Sequence, residues 1–177
     1  MDPVYFEMFG LEIAAARAAD LAKQMLAYSG KGQFILQVVD LSGLVEEMAH
    51  LLEASISKKA QIKFDFRGDL PPVEADVTQL RQVVLNLITN ASEAIGEREG
   101  TIRLRTGAME SEEEFHIGSP LPNHLPSGTY VFLEVSDNGV GMDRETQEKI
   151  FDPFFTTKFT GRGLGLSAVL GIVRGHD

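Results

Sequence analysis

Cysteine is absent from the 177-residue chain, which excludes disulfides and thiolate metal sites. No run of about 18 apolar residues occurs, so no segment reads as a membrane-spanning helix. The opening "MDPVYFEMFG" lacks the basic-then-apolar order of a secretory signal, and a cytoplasmic location is the expectation. Positive charge is scarce: 16 Lys and Arg stand against 26 Asp and Glu, for a net charge of −10. That balance opposes non-specific nucleic-acid binding, which depends on phosphate neutralisation by basic side chains. An anionic ligand would have to be held by local features and not by the overall field. Internal repeats and low-complexity tracts are also missing.

What is present is enough for a real core, with 44% apolar residues. Leu11, Ala14, Ala18, Leu21, Met25 and Tyr28 step by three and four, the a/d pattern of a helix packed on another helix. "SGKG" at 29–32 ends it, and residues 33–177 read as a separate unit. "QFILQVVD" predicts a strand. Asp40 caps a predicted helix to about Ile56, with apolar Leu44, Val45, Met48, Leu51 and Leu52. "IKFDF" (62–66) alternates as a strand does, and "GDLPP" is a turn. Asp76 and Gln79 form the pattern of a capping box opening a helix over 77–96, with a core stripe of Leu80, Val84, Leu87, Ala91 and Ala94. Strands follow at "TIRLRT" and "YVFLEVSD". The Gly-, Pro- and Glu-rich 107–128 between them predicts a long solvated connection. A short helix at "DRETQEKIF", a loop at "DPFFTTKFTGRG" and a closing helix at "LGLSAVLGIVRGH" complete the order. The class is α+β, a mixed sheet packed on helices in two layers.

Four features carry chemistry. Asn86, Asn90 and Glu93 fall at i, i+4 and i+7 of the 77–96 helix and share one face. Asparagine is a poor helix former, and a carboxamide oxygen suits a hard cation such as Mg²⁺ held by few protein ligands. In "SDNGVGM" (136–142), Asp137 ends a strand where its carboxylate can accept from an amino group, and the glycines permit close approach. "TGRGLGLSAVLGI" (160–172) opens a helix with three glycines at alternate positions, an arrangement that offers free backbone amides to an anion. Lys158 and Arg162 are cations beside it. "FDPFFTTK" (151–158) places three phenylalanines in a loop, where aromatics anchor to the core and a hinged lid follows.

Together and in this order, these features resemble the ATP-binding catalytic domain of sensor histidine kinases, within the GHKL group that also holds gyrase-type ATPases. "NLITNASEAI" resembles the N box, "DNGVGM" the G1 box, "FDPFFTTK" the F box and "GRGLGLS" the G2 box, over about residues 33–176. Segment 11–32 resembles the second helix of the dimerisation and phosphotransfer hairpin. The resemblance implies a two-layer GHKL sandwich binding ATP and Mg²⁺. It implies that Asp137 accepts from the adenine amino group, that Asn90 ligates Mg²⁺ and that Asn86 supports metal and phosphates. Gly139 and Gly141 would let the backbone pass close to the nucleotide, and Gly163, Leu164 and Gly165 would present amides to phosphates. Lys158 and Arg162 would contact phosphate, and Glu93, Met142, Phe151, Thr157 and Leu166 complete the implied ATP-binding set. Asn86, Asn90 and Lys158 form the implied catalytic set. The implied chemistry is phosphoryl transfer, where positioning and charge neutralisation supply most of the catalysis.

Gyrase-like ATPases carry a water-activating glutamate where this chain has Asn86, which favours a kinase. The implied partners are a response-regulator receiver domain and a second copy paired through the N-terminal helix. His50, His116, His124 and His176 all lack the family's acceptor context, so the acceptor histidine is expected outside this chain. The chain also ends at "VRGHD", where the family continues into further strands. A serine kinase of the anti-sigma kind shares the nucleotide boxes, although the heptad helix argues against it. A non-catalytic nucleotide-binding dimerisation module is the remaining alternative.

Overall fold

The computed structural model describes residues 35–111, 126–158, 161 and 163–176. The heptad segment 11–28, most of the acidic connection with His116 and His124, and Arg162 lie outside the described residues. The elements run β1 (Leu36–Val39), α1 (Leu41–Leu52), β2 (Ala60–Phe66), β3 (Val73–Asp76), α2 (Val77–Ile95), β4 (Gly100–Ser111), β5 (Gly128–Asp137), α3 (Arg144–Lys149) and α4 (Gly165–Arg174).

β1 and β3 pair antiparallel as a two-stranded ribbon, and the larger sheet has the order β2-β4-β5. Within it β2 and β4 are parallel, while β4 and β5 are antiparallel, so the sheet is mixed as expected. β4 alternates strictly at its start: Ile102, Leu104 and Thr106 are buried and Arg103 and Arg105 exposed. The buried face meets α1 and α2 in one core that includes Val45, Met48, Val84, Ile88, Ile95, Ile102 and Leu104. Thr106 is the polar exception, and its hydroxyl pairs with that of Ser42 at 2.7 Å. On the other face Arg105 lies 3.9 Å from Asp65, 3.6 Å from Glu134 and over the Phe132 ring.

Asp40 caps α1 by accepting from the Ser42 amide. Leu51 departs from the expected buried stripe: it is 64% exposed, on the solvent side of the helix. The α2 stripe is also shifted. Val84 and Ala91 are buried as expected, but they are joined by Ile88 and Ile95, while Leu80 and Ala94 are half-buried. Leu87 instead joins Val83, Val169 and Ile172 in a second apolar cluster between α2 and α4. Helix α2 is therefore sandwiched, with two apolar faces where the sequence reading gave one.

The predicted connection over 107–128 is shorter than expected. β4 continues to Ser111, and Gly107–Ser111 pair with Gly128–Phe132 of β5. β3 was not predicted at all, since four residues with acidic Glu74 and Asp76 carry too little periodicity.

Candidate functional site

Asp76 sets the start of α2. Its carboxylate accepts from the amides of Ile35, Thr78 and Gln79 at 2.9–3.1 Å. Only half of the predicted capping box forms, because the Asp76 amide donates to Nε2 of His176 at 2.9 Å. The His176 Nδ1 in turn donates to the Ile172 carbonyl at 2.8 Å, so the imidazole ties the end of α4 to the start of α2. Burial pushes the Asp76 carboxyl up, but the hydrogen bonds from the three amides outweigh it and hold the group below its ordinary value.

Along α2, Asn86, Asn90 and Ala94 recur every fourth residue and mark one face over roughly 12 Å. At its first position the Asn86 Nδ2 donates to the Gly165 carbonyl at 3.1 Å, and its Oδ1 accepts from Gln82 at 3.0 Å. Gly165 opens α4 and lies against both asparagine side chains. The helix start that was expected to present amides is thus docked on the carboxamide pair. Leu164 is buried beneath it, and Leu166 is half-buried.

Gly163 has φ 67°, and a Cβ there would overlap the backbone of Phe154 and Phe155. Its carbonyl accepts from the Phe154 amide at 2.8 Å, which joins the phenylalanine loop to the glycine turn. Phe154 itself has φ 68°, unusual for a bulky residue and a seat of local strain. The loop is not wholly core-anchored as expected: Phe154 is 58% exposed, whereas Phe151 and Phe155 are half-buried. Thr157 is exposed.

Lys158 reaches across to α2. Its ammonium donates to Asn90 Oδ1 at 3.2 Å and forms an ion pair with Glu93. A carboxamide oxygen and a carboxylate therefore already converge on a cation, with the ammonium as stand-in. Oxygen donors of this number suit Mg²⁺, which keeps water and substrate phosphates in its remaining positions. No cluster of three or more His, Cys, Asp or Glu able to hold a metal alone occurs among the described residues.

At the far end of the face, Asp137 closes β5 and accepts from the Gly139 amide at 2.8 Å. Gly139 presses on α2: a Cβ there would stand 2.5–2.7 Å from Ala94 atoms. The Val140 amide donates to the Ala94 carbonyl at 3.0 Å. The close approach that glycine permits here is to the helix. Gly141 takes φ 69° in open space, and Met142 is 51% exposed, its carbonyl accepting from Gln147. Asn138 Oδ1 accepts from the Thr101 amide at 2.8 Å and fixes the turn to β4.

Of the predicted residues, Asn86, Asn90, Glu93, Lys158 and Gly163–Gly165 are brought together, and Asp137 and Gly139 stand at the other end of the same helix. The sequence reading missed Gln82, Ala94, Asn138 and His176. Only Gln82 had a signal, since it extends the Asn86–Asn90 stripe by one turn.

Residues 75–177 match the family described as histidine kinase-, DNA gyrase B- and HSP90-like ATPase. The chain is 38% identical over 175 residues to sensor kinase CckA of Brucella abortus (strain 2308), covering 98% of this chain and 18% of that protein. It is 32% identical over 178 residues to the signal transduction histidine-protein kinase AtoS of Escherichia coli (strain K12), covering 99% and 26%. The chain thus spans under a third of the length of these curated relatives. Among solved structures, the catalytic domain of histidine kinase ThkA superposes with a TM-score of 0.60 at 32% identity, covering 82% of each chain. ThkA in complex with response regulator protein TrrA gives a TM-score of 0.59 at 28% identity, covering 93% of this chain and 42% of that one. The sheet-on-helix architecture is that of a histidine kinase catalytic domain. With that fold and a match over more than half its length, the chain belongs to the histidine kinase-, DNA gyrase B- and HSP90-like ATPase family.

Proposed function

We propose that this chain is the ATP-binding catalytic region of a two-component sensor histidine kinase, and that it transfers the γ-phosphoryl group to a histidine outside residues 1–177. The observation that carries the reading is the convergence of the asparagine pair, the glycine turn and the Asp137 turn on one helix, α2. Asn86, Asn90 and the Gly163–Gly165 turn lie at one end, and the Asp137 turn docks at Ala94 at the other.

In this reading Asp137 accepts from the adenine amino group and the Gly139–Met142 turn lines the base. Asn90 holds Mg²⁺ through Oδ1, with Glu93 beside it. When bound, the ion would neutralise phosphate charge. Asn86 keeps the glycine turn on α2 so that its backbone amides face the phosphates, and Lys158 supplies a further positive charge. Phe151, Thr157 and Leu166 belong to the proposed rim of the site, and Arg162 is a further proposed phosphate contact. Asn86 carries a carboxamide, which cannot act as a general base on water, and this favours transfer to a protein acceptor over hydrolysis.

Residues 1–32 are proposed to be part of a dimerisation and phosphotransfer hairpin, pairing two copies, and 33–177 the catalytic domain. The proposed relay partner is a receiver domain, in keeping with the ThkA–TrrA complex, and the proposed location is cytoplasmic. Among the described residues no helix is long and apolar enough to cross a membrane.

Isothermal titration should give Mg²⁺-dependent ATP binding that weakens at least about tenfold in Asp137→Asn, the scale of a lost hydrogen bond to a charged group. Unchanged affinity would sink the adenine assignment. Transfer is tested by supplying a histidine-bearing hairpin in trans with γ-labelled ATP. An acid-labile label on that histidine is expected, and an acid-stable label on a hydroxyl would establish a serine kinase instead.

A further inference from the structure

Glu93 is a puzzle within the proposed site, because a carboxylate facing a polyphosphate repels it. Its observed partner resolves the difficulty. The Glu93 carboxylate pairs with the Lys158 ammonium, which also donates to Asn90 Oδ1 at 3.2 Å. The two partners are 65 residues apart in sequence, so the contact joins the phenylalanine loop to α2. The backbone around Lys158 is held as well: its amide donates to Thr156 Oγ1 at 3.1 Å, and its carbonyl accepts from the Gly161 amide at 3.3 Å. A tight turn therefore aims the lysine stem at the helix.

We propose that Glu93 is a positioning residue that parks the Lys158 ammonium on Asn90 Oδ1, in the seat meant for a metal cation. The phenylalanine loop is thereby latched to α2. The proposal rests on the reading of an ATP·Mg²⁺ site given above. An ammonium and a metal ion sharing the two lone pairs of one carboxamide oxygen would stand only about 4 Å apart and repel each other strongly in a partly buried site. Lys158 must therefore leave Asn90 as the metal-bound nucleotide enters, and its new partner is the phosphate charge. Its departure removes the direct side-chain tie between the loop and the helix, leaving the Phe154–Gly163 hydrogen bond to link the loop to the glycine turn. Loop release and metal loading thus become one exchange of partners, with Glu93 setting its cost.

The test uses the full 177-residue chain with Glu93→Gln, Lys158→Met and the double variant, each checked for native circular dichroism. The first measurement is amide hydrogen exchange over 152–158 without nucleotide. Each single variant should exchange about two- to fivefold faster, the scale of one exposed ion pair. The double variant should go no further, since both changes break the same contact. Unchanged exchange in either single variant overturns the latch, whatever the ligand.

The second measurement is ADP affinity, in EDTA and then with Mg²⁺. Glu93→Gln should tighten metal-free ADP binding about two- to fivefold by releasing Lys158 toward the phosphates, whereas Lys158→Met should weaken it. Equal or weaker metal-free binding in Glu93→Gln overturns the parking role and makes Glu93 a direct ligand or a bystander. A wild-type chain that binds no ADP at all would refute the nucleotide reading itself, and the exchange measurement would still judge the latch.

Discussion

The Asp76 carboxylate accepts from three backbone amides while more than nine-tenths buried. A single substitution there removes a helix cap and the tether of β1 at Ile35. Asp76→Ala should cost about 1–2 kcal/mol at neutral pH, measured by urea denaturation. Because the folded carboxyl lies below the ordinary value of 3.8, its contribution is present above that value and lost as pH falls through the folded one. The gap between wild type and variant should therefore close in acid, and a gap that persisted at low pH would contradict the assignment. Gly139→Ala acts by another route. Its methyl would be driven into the Ala94 backbone, and overpacking of this kind costs about 1–3 kcal/mol. The thermal midpoint should fall by several degrees, and nucleotide affinity should drop with it because Asp137 loses its turn.

At the scale of elements, α2 serves two apolar clusters and the site face at once. The sequence reading recovered its extent to within one residue, because Asp76 and Gly96 punctuate it clearly. Its interior faces were less legible. A helix packed on both a sheet and a second helix has apolar residues on most of its circumference, so a single stripe drawn through Leu80, Val84 and Leu87 mixes two surfaces. The Asn86–Asn90 pair was readable for the opposite reason, as two poor helix formers four residues apart in a helix rich in Leu, Val and Ile. Glu93 and Lys158 were each named, yet no spacing rule could reveal that they meet, since their contact is made by the tertiary fold. Helix α4 rests on the smaller cluster, with Ile172 fully buried at its centre. Ile172→Ala should cost about 2–5 kcal/mol, and the loss should be local. Amides of Gly165–Arg174 should exchange faster than those of β4 by hydrogen exchange. Equal acceleration in both would show that α4 and the sheet unfold as one unit.

The whole molecule carries a net charge of −10 and, on the proposed function, takes up an anionic ligand. Its long-range field therefore slows encounter, and the attraction is confined to the few groups around Lys158 and the glycine turn. Added salt screens the distant repulsion more than contacts at hydrogen-bonding range. The association rate constant for Mg·ATP, measured by stopped flow, should consequently rise modestly between low and physiological ionic strength. A steep fall would point to a basic approach surface that the composition does not provide.

The parallel pairing of β2 with β4 has a consequence for how the chain folds. Antiparallel neighbours can zip from a turn, but parallel ones must wait for the intervening chain to cross over. Here that chain comprises β3 and all of α2. Closing so long a loop is entropically costly and slows folding. The central strand can pair with β5 on its own, but it cannot pair with β2 until the segment bearing Asn86 and Asn90 has crossed over. Assembly of the ligand face and the slow topological search are thus one kinetic event, so damage to α2 would delay folding before it ever impaired binding.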